Sequence, residues 1–500
     1  LQQVESELPE IDLASVTTSS IPALTAWLEG EVNFRHGNDV AAAAAYERAL
    51  DHDSTFAFAY YRLSSAYGWA EGMSSYRAEQ AREQAFRWVD RLPPRQAALV
   101  RGLYAWETGE RREAYYILRQ LVQSYPDYAD AWHELGDFYY HAGPSIPVSL
   151  DDALECFIRA VELDPSFAPY RIHLVDIAFK HDPDSTRVAD LLAEYRQLGS
   201  ADAAVTLQLE TAFDLAFGSE DRRARALQAL DTLSGIGLLP NNNLLHPRFW
   251  RELEAVHLAR EKRWNRDLGP DLFFATAWGR GLAERGFGYL DRLQTPVEVR
   301  ACYTLFWRQA GLPVSARRLA ELDVLTNQID SLESSFSLYC AGAHAADRGL
   351  WEEHGRAIGA LEEMSRRSIA AGGTGGTEHR YALAAQAYGL WRQGQPEAAL
   401  AALDEVRRYD ATRIIRWTLG MILTDLERWD EAIPYLRSWW WGTDSLMHYN
   451  LAWAHEQTGE YEKARKEYAF FVEAWQDADP ELRPWVEDAR RALDRLTSER

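Results

Sequence analysis

Few residue combinations in this 500-residue chain have the spacing of a chemical site. Cys340 and His344 lie four residues apart, which puts both on one face of a helix, and His354 follows nearby. A zinc site needs three or four converging ligands, and this spacing brings together two. We therefore interpret the set as a buried cysteine beside a histidine at a helix interface, and we expect neither a metal nor a cofactor.

The remaining polar patterns are equally poor in chemistry. His448 and His455 lie two helical turns apart with no carboxylate in register, so we interpret them as packing or groove residues. The glycine-rich segment 371–377 lacks the following lysine and the strand of a phosphate loop. Acidic doublets such as 151–152 lie on solvated helix faces, and no serine or cysteine nucleophile motif occurs. The sequence therefore predicts a protein that is not an enzyme.

The charge balance limits the class of partner. The chain has 53 basic and 76 acidic side chains and a net charge of −23. Nucleic-acid affinity comes largely from lysine and arginine, so this balance argues against a nucleic-acid partner and favours a neutral or basic one. The 19 tryptophans against 4 methionines are unusual, and composition does not say whether they form core or binding surface.

Cysteine usage and apolar runs say little about the compartment. Cys156, Cys302 and Cys340 are odd in number and far apart, so we expect small buried hydrophobes and no disulfide framework. No apolar run is long enough to cross a bilayer, and the start at Leu1 shows no signal segment. We interpret the chain as a processed protein or a fragment. Its compartment stays open, with an extracytoplasmic or secreted location favoured over a cytoplasmic one.

The elements that would carry any site are predicted by a repeated pattern of small and aromatic residues. Two helical faces are spaced by three and four residues between positions 132 and 165. The residues in this pattern are Trp132, Leu135, Gly136, Tyr139, Ala153, Phe157, Ala160 and Pro165. In this order they match the signature of the tetratricopeptide repeat. The stretch 141–150 is longer than that repeat allows, so a loop is expected there.

The same pattern recurs at both ends of the chain. Ala399, Ala432 and Ala464 are spaced by 33 and 32 residues, close to the repeat length. The predicted fold is all-α, a tetratricopeptide-type α-solenoid with a right-handed superhelical course, ten or eleven helix pairs and a C-terminal capping helix at 482–496. We divide it into an extended segment 1–19, an N-terminal array 20–235, degenerate repeats with loop insertions at 236–377, and a C-terminal array 378–500. Possible hinges are 236–263, read as a break or loop, and 370–377.

The N-terminal run 16–67 is similar to a particular group of tetratricopeptide regions. These regions follow bacterial serine/threonine kinase, winged-helix or cyclase domains as sensor or interaction modules, and 471–496 resembles their usual ending. The resemblance implies an effector domain and a membrane segment before Leu1.

In such repeats the first helix of each pair lines a concave groove, and ligands contact positions beside the packing residues. Transferred to this sequence, the groove positions are Trp27, Phe34, Trp106, His133, Asp137, Tyr140, Tyr388, Trp391, Trp417, Tyr449 and Trp453. Trp132 and Trp351 fall at packing positions and are expected in the core. Trp439, Trp440 and Trp441 lie near a predicted helix end and fit either role.

These positions lead to a functional hypothesis with two alternatives. The leading one is a non-catalytic scaffold or sensor module that binds a peptide or partner protein, favourably a basic one, in an aromatic groove. One alternative is self-assembly into end-to-end homo-oligomers or filaments through Trp439–Trp441. The other is a solenoid that binds carbohydrate on its tryptophan rings.

Overall fold

The computed structural model describes residues 18–72, 75–146, 148–181, 183–198, 203–230, 242–264, 268–371, 375–407, 413–437 and 445–498. Within these ranges all regular structure is helical, with 26 α-helices and no strand. The predicted all-α class is therefore confirmed. Residues 1–17 of the predicted extended segment lie outside the described residues, as do Trp439, Trp440 and Trp441. The division into four segments stays a prediction.

The chain forms two compact units, unit 1 from residues 1–142 and 150–244 and unit 2 from residues 143–149 and 245–500. The α-helices of the described part of unit 1 are Ile21–Arg35 (α1), Asp39–His52 (α2), Ala57–Glu71 (α3), Tyr76–Arg87 (α4), Pro94–Glu107 (α5), Arg111–Ser124 (α6), Ala129–Ala142 (α7), Leu150–Leu163 (α8), Ile172–Lys180 (α9), Ser185–Gln197 (α10), Ala203–Phe217 (α11) and Glu220–Ala229 (α12).

Unit 2 contains the remaining helices, and α14 continues into a π-helical turn at Phe274–Trp278. They are Trp250–Trp264 (α13), Gly269–Phe273 (α14), Ala283–Arg292 (α15), Val297–Gln309 (α16), Ala316–Asn327 (α17), Ser335–Asp347 (α18), Trp351–Ala370 (α19), Gly376–Arg392 (α20), Pro396–Ala402 (α21), Arg413–Asp425 (α22), Trp429–Leu436 (α23), Ser445–Gln457 (α24), Tyr461–Ala474 (α25) and Arg483–Ser498 (α26).

Consecutive helices pack as hairpins, from α1 with α2 to α11 with α12 and from α16 with α17 to α24 with α25. The turns depend on residues that accept a positive φ, such as Gly109 (φ 89°) and Gly394 (φ 74°). In the α22–α23 turn Glu427 takes that conformation, with φ 56°. Among the described residues, Gln294 between α15 and α16 (φ 54°) is the other non-glycine residue with positive φ, and both carry the steric cost that glycine avoids.

Small residues set how closely the two helices of a hairpin approach. A Cβ on Gly136 would lie 3.0 Å from Cε1 of Phe157, and one on Gly102 would lie 2.8 Å from Cδ2 of Leu118. Gly136 and Gly102 therefore lie where the two helices of their hairpins approach closely. At the start of α1 the Ser20 hydroxyl accepts a hydrogen bond from the first helical turn.

Unit 1 contains a buried ion-pair network that joins three first helices. Arg62 of α3 lies 3.0 Å from Glu31 of α1 and 3.0 Å from Asp130 of α7, and it is only 7% exposed. Burial opposes the charge on Arg62, but the two carboxylates raise its pKa well above the ordinary value. The network fixes the register of α1, α3 and α7.

Two features of unit 2 correct the sequence predictions, and a third agrees with them. The predicted break 236–263 is helical from Trp250 onward, because α13 fills the second half of the segment. Trp351, expected in the core, starts α19 with 42% of its surface exposed. The capping helix is present as α26, and its buried stripe includes Val486, Ala489 and Leu496.

The two cysteines that were expected to be free in unit 2 form a disulfide. Cys302 of α16 and Cys340 of α18 are bonded, with their Cα atoms 5.4 Å apart. They are 38 residues apart, about one repeat, so they occupy neighbouring positions on successive first helices. Cysteine number and spacing along the chain do not reveal this adjacency. Cys156 is buried and has a free thiol, as predicted.

Two further properties of the helices matter later. His257 of α13 is buried, and burial together with the charge of Arg260 lowers its pKa to about 3. Among the described helices, none combines the length and apolar character needed to cross a membrane.

Candidate functional site

Unit 1 has a small, partly open cavity between the inner faces of α3, α5 and α7, closed on one side by α4. Its polar and aromatic lining includes two of the predicted groove residues, Trp106 and Asp137. The other lining residues are Tyr61, Ser64, Ser65, Arg82, Ala85, Val100, Leu103, Glu107 and Glu134. Three carboxylates therefore face the cavity against one guanidinium, and the cavity is acidic.

The carboxylates of the cavity are held in place by neighbours. The Tyr61 hydroxyl donates to Oε1 of Glu134 at 2.9 Å, and Arg82 lies 3.4 Å from Glu107. Burial raises the pKa of Glu107, Arg82 lowers it, and the charges of Asp137 and Glu134 raise it again, so the net direction is upward. Burial is the main cause of this upward shift, and the two neighbouring carboxylates add to it.

Trp106 forms the aromatic wall of the cavity. Its half-buried ring packs edge-on against Phe138 at 5.5 Å and parallel to the ring of His141 at 6.3 Å. These contacts restrict the indole ring, so its remaining face can serve as a pre-ordered contact surface.

A layer of histidines lies beside the cavity. Nε2 of His141 and Nε2 of His173 are 3.3 Å and 3.2 Å from the same oxygen, Oδ1 of Asp137. His173 is buried with its ring stacked on Phe157 at 4.7 Å, and His133 stacks on Tyr170 at 4.8 Å. The sequence prediction named His133 and Asp137 but missed His141 and His173.

The protonation states in this layer follow from burial and charge. Burial lowers the pKa of His173 to about 3, because it outweighs the opposing effect of Asp137. Burial would raise the pKa of Asp137, but the neighbouring histidines hold it well below its usual range. Burial lowers the pKa of His133, and the carboxylates of Glu134, Asp137 and Asp130 more than offset this.

Tyr140, another predicted groove residue, belongs to a buried network. Its hydroxyl is hydrogen-bonded to Asp176 and to Lys180, and Lys180 Nζ lies 2.6 Å from Asp176 Oδ2. Asn243 donates to the other oxygen of Asp176 at 2.7 Å. The tyrosine is therefore engaged in structural contacts.

The first predicted groove residues, Trp27 and Phe34, are buried within unit 1. The indole of Trp27 packs against Phe56 and Phe58, and the ring of Phe34 packs against Phe167. Trp132, predicted for the core, is only half-buried, and its Nε1 donates to a backbone carbonyl.

In unit 2 three aromatic residues predicted for the groove use their polar atoms to link successive first helices. Tyr388 donates to Asp347, Trp391 to Asp425 and Tyr449 to Asp488, each at 2.7 Å. Tyr388 is buried, whereas Trp391, Trp417 and Tyr449 are half-buried.

Trp453 is the groove candidate with the largest exposed fraction, 40%, and it packs edge-on against Trp429. The five predicted groove aromatics of unit 2 do not line the cavity of unit 1; they are Tyr388, Trp391, Trp417, Tyr449 and Trp453.

The polar residues considered as a possible metal site in unit 2 point at separate partners. Cys340 is in the disulfide, and Nε2 of His344 lies 3.0 Å from Oδ1 of Asp323. Nδ1 of His354 lies 2.9 Å from the carbonyl oxygen of Gly342. The interpretation of His344 and Cys340 as buried interface residues agrees with this geometry.

The site residues that the sequence prediction missed have only a weak signal in the sequence. Asp137 and His141 are four residues apart on α7, and His173 lies on the first helix of the following hairpin. A histidine one repeat later could have been placed beside Asp137, since equivalent first-helix positions are neighbours. Glu107 and Glu134 carry no such signal, because charged residues on first helices are common in this sequence.

Helical hairpins with glycine turns, small residues at each crossing and a polar inner face define a helical-repeat protein. Two segments, residues 99–143 and 384–439, match the family model described as "Tetratricopeptide repeat". The first segment spans most of α5 together with α6 and α7, and the second spans about half of α20 together with α21, α22 and α23. These two segments of the chain are therefore of tetratricopeptide-repeat type.

Solved structures with similar helical arrays include three that differ in coverage. A structure from work on Pseudomonas aeruginosa pilF is 19% identical, covers 43% of this chain and 92% of its own, and has a TM-score of 0.26. The Cut9–Hcn1 hetero-tetramer of the APC/C matches at 14% identity, 99% and 87% coverage and a TM-score of 0.27. A human IFIT1 dimer with PPP-AAAA matches at 12% identity, 94% and 92% coverage and a TM-score of 0.28. No curated protein sequence matches the chain.

Proposed function

We propose that this protein is a non-catalytic binding module, and that the cavity of unit 1 receives a basic side chain from a peptide or protein partner. The observation that carries the proposal is the lining itself, in which three carboxylates and one guanidinium surround the face of Trp106. The partner would supply a lysine or arginine at this point and apolar contacts around it.

The chemistry of the cavity favours a cation over a neutral group. A cation over an indole face gains from the ring quadrupole, and hydrogen bonds to ionised carboxylates are stronger than neutral ones. Glu134 and Asp137 are already oriented by Tyr61 and by the histidine layer, so little order is lost on binding. A partner cation would also offset the repulsion among Glu107, Glu134 and Asp137, which adds to the effect of burial on the pKa of Glu107.

The wider context of the module remains a proposal. The similarity of residues 16–67 to interaction regions of bacterial signalling proteins supports a role in which partner binding is passed to another domain. Trp391, Trp417, Tyr449 and Trp453 support a second contact area, since their rings keep exposed surface in unit 2. Self-assembly through 439–441 and carbohydrate binding stay predictions.

The experiment measures binding of peptides that differ at one position. A fluorescent peptide library with lysine, arginine, norleucine or glutamate at the central position is titrated with the full chain in metal-free buffer. Lysine and arginine peptides should bind at least roughly tenfold more tightly than norleucine peptides, and added salt should reduce the difference.

Two variants connect this selectivity to the cavity. Trp106→Ala removes the aromatic wall, and Glu134→Gln removes one charge while keeping an acceptor for Tyr61; each should cost roughly 5–30-fold in affinity. Trp351→Ala, which removes an exposed tryptophan of unit 2 outside the predicted groove, is the control and should leave the lysine preference unchanged. Equal affinity for lysine and norleucine peptides, or a preference that survives both cavity variants, would show that the cavity is not the binding site.

A further inference from the structure

The histidine layer brings three potential metal ligands together in unit 1. One potential ligand atom from each of Asp137, His141 and His173 lies within 4.8 Å of the other two. Asp137 and His141 are on consecutive turns of α7, and His173 is in the first turn of α9. Two separate helices therefore present nitrogen and oxygen atoms to one point.

The distances in this layer match the geometry of a coordinated ion. Ligand atoms of a tetrahedral zinc ion, at bond lengths of about 2.0–2.1 Å, are about 3.3 Å apart. The oxygen of Asp137 is 3.3 Å from the nitrogen of His141 and 3.2 Å from that of His173. These separations place the three atoms near the positions that a shared ion requires.

Some buried polar atoms of the histidine layer have no hydrogen-bond partner within the protein. Oδ1 of Asp137 is buried with no hydrogen-bond partner, although two imidazole nitrogens lie close to it. His173 is 5% exposed, and its Nδ1 is also without a partner. Buried polar atoms are normally satisfied, so an oxygen that faces two imidazoles without a hydrogen bond points to a missing ligand.

The surrounding charges favour a cation. Glu107 and Glu134 lie on the cavity side together with Asp137, and Arg82 is paired with Glu107. On the other side the charge of Lys180 is balanced by Asp176 at 2.6 Å. His141 is half exposed, which gives the site access to solvent.

We propose that Asp137, His141 and His173 bind one divalent first-row transition-metal ion, with zinc as the representative ion. Two imidazoles and one carboxylate suit zinc and its neighbours, whereas magnesium and calcium prefer oxygen ligands alone. Three protein ligands leave a fourth position for water or for a polar group of a partner. The proposal goes beyond peptide capture, because the ion needs no partner to bind.

The test titrates Zn²⁺ and Co²⁺ into the chelator-treated full chain, with calorimetry for Zn²⁺ and visible absorption for Co²⁺. The proposal expects one tightly bound equivalent of Zn²⁺, a Co²⁺ spectrum of low coordination number, and no uptake of Mg²⁺. His141→Ala should weaken Zn²⁺ binding at least about 10–100-fold, the loss typical of disturbed metal sites. Because His141 is half exposed, this variant should fold normally, and Asp137→Asn provides a second, charge-removing variant.

His181→Ala is the matched control. His181 is in the same unit and is as exposed as His141, at 50% against 51%, and it also lies near an aspartate. The control should bind Zn²⁺ like the original chain. Absence of a saturable equivalent, or equal losses for His141→Ala and His181→Ala, would overturn the proposal and assign the uptake to surface histidines. Peptide selectivity is measured without metal, so either proposal can fail alone.

Discussion

The contact between His354 and Gly389 offers a sharp test of how unit 2 is packed. The tetratricopeptide pattern has alanine at the position of His354, and Gly355 follows it in the sequence. In the structure Gly355 faces open space, and the imidazole lies against Gly389 of α20. A Cβ on Gly389 would lie 2.8 Å from Cε1 and 3.0 Å from Cδ2 of His354, and closer still to Nε2.

The size of the effect follows from how tightly the ring is held. His354 is buried, and its Nδ1 hydrogen-bonds to the carbonyl of Gly342, so the ring has little freedom to move away. Gly389→Ala therefore overpacks the interface and should destabilise unit 2 by about 1–3 kcal/mol. In His354→Ala/Gly389→Ala the added methyl group enters the space left by the imidazole. The double variant should be more stable than the sum of single effects predicts, by about 0.5–3 kcal/mol.

Urea unfolding followed by tryptophan fluorescence gives the free energies of the four proteins in this cycle. Gly355→Ala is the control, since it adds the same atom to an exposed helix position with nothing within 4 Å. It should stabilise the chain by about 0.5–1 kcal/mol through helix propensity. If Gly389→Ala behaves like Gly355→Ala, or if the double variant shows no coupling, the ring does not occupy the position described.

Four further expectations follow from single groups. Arg62→Met leaves two buried carboxylates without their cation and should lower the free energy of unfolding in urea by about 3–5 kcal/mol. A loss below about 1 kcal/mol would mean that water already screens the two carboxylates. His257 has a pKa of about 3 in the folded chain, well below its unfolded value near 6.5. The free energy of unfolding should therefore fall as the pH drops from about 6.5 towards 3, by about 2 kcal/mol at pH 5. His257→Gln should flatten that dependence, and an unchanged profile would contradict it. Thiol labelling in denaturant should modify one cysteine without reductant and three cysteines after reduction. Loss of the Cys302–Cys340 bond should lower the free energy of unfolding by about 2–4 kcal/mol. Three labelled thiols before reduction would refute the pairing. Glu427→Gly should stabilise the α22–α23 turn by about 0.5–1 kcal/mol in the same unfolding assay, because glycine accepts the positive φ, and a loss of stability would contradict this conformation.

The fold could be predicted from the sequence because the repeat pattern records local packing. Gly136 and Phe157 face each other across one helical hairpin, and the contact between them limits the size of both residues. The Cys302–Cys340 bond depends instead on two helices of different hairpins. Its geometry is set by tertiary structure, which the spacing of two residues along the chain does not record. The same holds for His354, whose space is made by a glycine in the next hairpin.

The candidate site was only partly predictable for a related reason. Aromatic residues on the first helices of the hairpins, such as Trp27 and Trp106, follow one helical spacing. Trp27 is nevertheless buried, whereas Trp106 lines the cavity. Helical periodicity identifies a face and does not say whether another helix covers it. The polar partners of the site, such as His173, come from the next hairpin.

The buried charges of unit 1 explain why these partners meet in a defined geometry. Ion pairs such as those of Arg62 contribute little net stability, because desolvation offsets the attraction. Their effect is positional, since Arg62 holds α1, α3 and α7 in one register through Glu31 and Asp130. The adjacent Tyr61 on α3 then fixes Glu134 on α7, one turn before Asp137. The acidic cavity and the histidine layer are therefore oriented by the same network, so a change at Arg62 should disturb peptide selectivity and metal uptake together.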